Sequence, residues 1–109
     1  MKFYRFLSIA EKDAGNSAFL AALQKGVPDK ESFLLMLPEA GSHLIEILSP
    51  GKKEWRLKKD RNPSIVIGAA SDRDTAVELT AELIRDCFNT TGAFDLRAYL
   101  AGKYGEVPE

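Results

Sequence analysis

The densest group of chemically capable side chains in this sequence is basic. Lys52, Lys53, Arg56, Lys58, Lys59 and Arg61 fall close together, opposed only by Glu54 and Asp60. The segment 52–61 therefore carries a local charge of +4, while the whole chain has a formal net charge of −1, which leaves −5 elsewhere. Cations on one face gain affinity for phosphates by releasing counterions, and an exposed tryptophan among them can stack a base. Lys53, Trp55, Arg56, Lys58 and Arg61 are thus a candidate surface for single-stranded nucleic acid. The segment also alternates: Trp55 and Leu57 share one side, and Glu54, Arg56 and Lys58 the other. A half-buried strand would turn Trp55 inward and leave the lysines as a solvated guard against edge-to-edge aggregation. The alternation favours that second reading.

The stretch 67–72, IGAASD, has the look of a strand feeding a helix. Such a turn can offer backbone N–H groups to a phosphate. It lacks both GxGxxG and the phosphate-loop lysine and hydroxyl, and Asp72 and Asp74 would repel an anion. Gly68 is read instead as a site of close packing or of a bulge. His43 is the only histidine; Glu46 lies three positions on, hence on the opposite side of a strand. One histidine and one cysteine far apart do not make a zinc site by spacing. Cys87 falls near the C-terminal end of a predicted helix, where the dipole disfavours a thiolate, and its position in an apolar stripe makes it a small core residue. Asp72, Asp74, Glu78, Glu82 and Asp86 make that helix acidic. Without a second acidic element opposite, they read as a solvated face rather than a magnesium site.

The remaining candidates are aromatic. Phe3, Tyr4 and Phe6, with Trp55, are more than one small helical hairpin needs on a single face. Large aromatics are enriched both in cores and at interfaces. Phe3, Tyr4 and Phe6 are therefore candidate interface residues, and a small domain with a modest core commonly pairs with itself.

The composition fits that scale. The 109 residues suit one domain, and hydrophobic and charged fractions of 45% and 28% are ordinary globular values. The near-neutral total supplies no long-range attraction to nucleic acid or anionic membrane. A lone cysteine cannot make an internal disulfide, which points to a reducing, cytoplasmic setting. The first residues lack a long apolar stretch, and no apolar run approaches membrane-spanning length, so no secretory leader and no membrane span are expected.

The elements that would position these groups follow from periodicity and punctuation. Phe3, Phe6, Leu7 and Ala10 have helical spacing, which predicts a helix over 3–10 with an edge strand as the alternative. Gly15 is expected to end it in a left-handed conformation. Asn16 is expected to cap a second helix over 17–25, with Gly26 and Pro28 closing the hairpin. Residues 32–37, 43–48, 54–59 and 64–70 read as strands, with a hairpin loop at 38–42 and a turn at 60–63. Ser71 with Asp74 resembles the start of a capping box for a long helix stopped by Gly92. Asp95 is expected to cap a last short helix that buries Leu96, Tyr99 and Leu100.

The expected fold class is α+β: a helical hairpin, an antiparallel meander of three or four strands, then a long and a short C-terminal helix packed on one face of the sheet. Residues 1–104 are expected to form a single domain and 105–109 a flexible tail. No catalytic, cofactor or metal constellation is read. The leading functional expectation is a non-catalytic protein-interaction or self-associating module, a homodimer. The alternatives are single-stranded nucleic-acid binding through 52–61, and small-ligand binding or hydrolysis near the turn that runs from Gly68 to Asp74, with His43.

Overall fold

The computed structural model describes residues 2–25, 32–37, 45–49 and 65–105. The order begins with strand β1 (Lys2–Ile9) and helices α1 (Glu11–Ala14) and α2 (Ser17–Gln24). Strands β2 (Phe33–Leu37), β3 (Glu46–Leu48) and β4 (Ile65–Ala70) follow. Helices α3 (Arg73–Thr91) and α4 (Leu96–Tyr104) complete it. The class is α+β, and α3 and α4 pack on one face of the sheet, as the sequence predicts. The predicted strand 54–59 and the loop 38–42 lie outside the described residues.

The sheet forms around β4. Its sequence, IVIGAA, is apolar towards both faces, and every residue is buried. Such a strand needs cover on both sides. In the described sheet order, β1-β4-β2-β3, it has a neighbour on each edge. Ile65 and Ile67 join Leu35, Leu37, Ala76, Leu79, Leu96 and Leu100 in the core beneath α3 and α4. Val66 and Ala69 join Leu34, Met36, Phe19 and Leu23 in a second core beneath α2. The sheet is thus sandwiched between α2 and the two C-terminal helices.

A bulge adjusts this alternation. Leu35 opposes Gly68 while the next residue, Met36, opposes Val66, so Ile67 is the surplus residue in β4. The extra residue reverses the parity of the strand. Ala69 and Ala70 therefore face the cores that strict alternation would have exchanged between them.

Several local expectations change. Residues 3–9 are not helical; they belong to β1, hydrogen-bonded to β4 in parallel, so the strand alternative holds, and Ala10 is the N-cap position of α1. The helical spacing arises because β1 is apolar on both faces and irregular. Phe3 opposes Val66 and Ser8 opposes Gly68, so five steps along β1 match two along β4. Leu7, inside this irregular stretch, touches both cores. A pair of helices does precede β2, but it is α1 and α2. Gly15 ends α1 with φ −90°, not in the left-handed region.

The sheet is mixed rather than a pure meander. β2 is antiparallel to both β3 and β4, and β4 sits between β1 and β2 instead of beyond β3. The cap of α3 is Asp72, whose side chain accepts from the Thr75 N–H, rather than Ser71. The other caps follow the sequence. Asn16 accepts from Phe19 N–H and Asp95 from Ala98 N–H. Gly92 closes α3 at φ +73°, the left-handed region that favours glycine.

Candidate interaction surface along the edge strand

The surface beside β1 has both backbone and side-chain character. Among the described strands β1 has β4 as its neighbour and ends the sheet order. Parallel pairing to a buried central strand fixes it, while its outer edge borders two grooves. One, of 400 Å³, lies between β1 and α2 and is lined by Phe3, Leu7, Ile9, Leu20, Leu23 and Gln24, among others. It is mainly apolar because α2 presents Leu20 and Leu23 to the sheet. The other, of 540 Å³, lies between β1 and the C-terminal helices, where Ser8, Glu82, Arg85, Asp86 and Lys103 give it charges of both signs.

The second groove is shaped by a polar-aromatic cluster. The Tyr99 hydroxyl donates to the Asp86 carboxylate at 2.8 Å, and Lys103 Nζ donates to the Tyr99 oxygen at 3.3 Å. Lys103 is also 3.6 Å from Asp86 and lies over the rings of Tyr99 and Tyr104 at 5.6 and 5.2 Å. Burial, then the hydrogen bond to Asp86, raises the Tyr99 phenol above its ordinary value. Its hydrogen bond to Tyr99, then one to Tyr104, holds the Lys103 ammonium above its own. Both groups therefore stay protonated near neutral pH. The cluster braces α4 against α3.

The sequence-predicted aromatics divide. Tyr4 is 3% exposed and belongs to the core. Its hydroxyl donates to the Gly105 carbonyl at 2.7 Å and lies 3.3 Å from that of Leu100. Phe3 is half-buried and borders the apolar groove. Phe6 is 45% exposed, edge-on to Tyr4 at 6.3 Å and stacked on Tyr104 at 5.3 Å. Leu20, Leu23 and Tyr104 were not among the sequence candidates. Their membership of this surface depends on β1 being a strand, which the spacing did not reveal.

The other sequence candidates fall into two groups, undescribed and described. Lys53, Trp55, Arg56, Lys58, Arg61 and His43 lie outside the described residues. At the turn after β4, two backbone donors are already engaged by carboxylates. The buried Asp13 carboxylate accepts from Ser71 N–H at 3.0 Å, and Asp72 accepts from Thr75 N–H at 2.8 Å. Lys12 pairs with Asp72 and clasps α1 to the turn after β4. Cys87 is fully buried, its thiol 3.4 Å from the Ala93 carbonyl oxygen. Among the described residues no group of three or more His, Cys, Asp or Glu is placed to hold a metal, and no helix is long and apolar enough to cross a membrane.

Comparison of the chain with protein-family models, curated proteins and solved structures finds no match.

Proposed function

We propose that the chain is a non-catalytic, cytoplasmic protein-interaction module that takes an extended segment onto the outer edge of β1, of which a homodimer is one form. One observation carries this reading: β1 ends the order of the described strands and is bordered by a groove on each face. Strand addition works by that combination, with main-chain hydrogen bonds supplying affinity and alternate side chains entering pockets on either side. The segment that fits has apolar side chains for the groove lined by Leu20 and Leu23, and polar or charged ones facing Arg85, Asp86 and Lys103. The irregular stretch between Phe3 and Ser8 supports selectivity, because bulged edges resist indiscriminate pairing.

The test is titration of isotope-labelled protein with extended peptides as long as β1, apolar at alternate positions, one of them carrying the sequence of residues 2–9. Amide shifts along β1 and methyl shifts at Leu20 and Leu23 are expected. No shifts with any peptide, or shifts confined to another surface, would overturn the reading.

A further inference from the structure

We infer that α3 forms the seam of a homodimer, packing antiparallel against α3 of a second copy through Val77, Ala81, Ile84 and Phe88. This goes beyond the strand-addition reading and does not depend on it.

The helix has two apolar faces, and the fold uses one of them. Ala76, Leu79, Leu83 and Cys87 pack towards the sheet. Among the described residues, Val77, Ala81, Ile84 and Phe88 join neither core, and of the four only Ile84 is half-buried. Val77 and Phe88 are each 47% exposed. Phe94, itself exposed, stacks on Phe88 at 5.0 Å and widens the stripe at its C-terminal end. The other large exposed apolar side chains among the described residues, Phe6 and Tyr104, stack on each other beside β1. A continuous apolar stripe left to solvent marks a contact surface.

Spacing identifies what fits the stripe. Positions 77, 81, 84 and 88 are separated by four, three and four residues. That is the repeat by which one helix meets another along a seam. The seam covers only about three turns, too little to hold free helices together. Here α3 is already held on the sheet, so its association costs no helix formation.

The stripe is complementary to itself in one orientation. With helices antiparallel and the two-fold axis level with the peptide bond between Glu82 and Leu83, Val77 meets Phe88 of the second copy and Ala81 meets Ile84. Each layer then sets a smaller side chain beside a larger one, which fills the seam without a void. A parallel pair would set Ala81 against Ala81 and Phe88 against Phe88, and would align the two helix dipoles side by side.

Charge favours the same orientation. Glu78 and Arg85 are exposed and flank one side of the seam, each one residue beyond a seam position. The antiparallel arrangement brings Glu78 of each copy beside Arg85 of the other, twice. Within its own chain Glu78 also feels the Lys12 ammonium, but that group is hydrogen-bonded to Asp72. A parallel pair would match Glu78 to Arg73 and leave Arg85 beside Thr80. Complementarity of this kind fixes orientation and register.

Sedimentation of the full chain across a concentration series is the test, with circular dichroism to verify that each variant is folded. Wild-type protein is expected to dimerise. Ala81→Glu, an exposed substitution at the centre of the seam, should weaken the dimer about tenfold or more. Glu78→Arg alone and Arg85→Glu alone should each weaken it roughly fivefold, by turning two attractive contacts into repulsive ones. Both exchanges in one chain should restore the wild-type affinity, and the two single variants mixed should form heterodimers. A wild type that is monomeric at every concentration overturns the inference. So does a dimer that tolerates Ala81→Glu, or one in which the double exchange restores nothing. Strand addition is judged separately, because peptide shifts along β1 are expected in Ala81→Glu as in the wild type.

Discussion

Gly68 lies so close to Ser8 of the neighbouring strand that a β-carbon on it would stand 2.8 Å from the Ser8 carbonyl oxygen. The same position would meet Ser8 Cβ at 3.2 Å and Leu35 Cδ2 at 3.5 Å. The nearest obstacle is backbone, which cannot swing aside as a side-chain tip can. Gly68 also opposes Leu35 at the bulge, where Ile67 is surplus. Gly68→Ala should therefore push β1 from β4 and destabilise the fold by about 1–3 kcal/mol, the usual cost of overpacking. Urea denaturation reads this directly. A change below about 0.5 kcal/mol, the level of an indifferent surface substitution, would mean that β1 can retreat freely.

Tyr4 binds the first strand to the end of the last helix. Its single hydroxyl proton is directed to the Gly105 carbonyl at 2.7 Å, with Leu100 as the more distant acceptor. Tyr4→Phe keeps the ring in the core and removes the hydroxyl. The expected loss is about 1 kcal/mol, as for a typical buried hydrogen bond. Amide exchange in the last turn of α4 should accelerate along with it. Unchanged stability and unchanged exchange would show that water replaces the hydroxyl at no cost.

The pair formed by Lys12 and Asp72 makes a pH-dependent link between the ends of two parallel strands. The hydrogen bond from Lys12, followed by that from the Thr75 backbone, lowers the Asp72 carboxyl from 3.8 to about 2. Because the folded-state value is depressed, the stabilisation is fully present above 3.8 and is lost as pH falls through about 2. A carboxyl-carbon titration of Asp72 should have its midpoint near the lower value, and Lys12→Gln should move it up towards 3.8. A wild-type midpoint at 3.8 would mean that the pair is not maintained in solution, as is common for exposed ion pairs.

The parts of the fold that could be read from sequence are those in which one local signal had a single structural meaning. Asn16, Gly92 and Asp95 act through backbone groups a few residues away, so each marks a helix end without help from the rest of the chain. The run Ile65, Val66, Ile67 could only be a strand covered on both faces. Phe3, Phe6 and Leu7 had two meanings. Their spacing fits a helix, but the parallel partner that makes them a strand lies more than sixty residues away and forces an irregular register.

Competition between capping residues was equally hidden. Ser71 and Asp72 are both good caps; Asp72 takes the role by accepting from Thr75 N–H, while the Ser71 N–H is held by Asp13 from α1. The edge surface suffered for the same reason. Phe3 and Phe6 were recognisable as aromatics in surplus, while Leu20, Leu23 and Tyr104 join them only through tertiary packing.

Cys87 separates a structural thiol from a reactive one. It is fully buried in the core beneath α3, with its sulfur 3.4 Å from the Ala93 carbonyl and Thr91 close by. Reactive cysteines are partly exposed and lie near cations or helix N-termini. Cys87 has neither feature, since it is in the last turns of α3. A thiol reagent should therefore leave the native protein unlabelled and modify it only through unfolding, at a rate that follows the urea dependence of the global transition. Rapid labelling in the absence of urea, with β1 and α4 still protected from exchange, would instead reveal local opening where α3 meets the loop to α4. In that case the stacked pair Phe88 and Phe94, 5.0 Å apart at the same corner, would be part of a segment that moves.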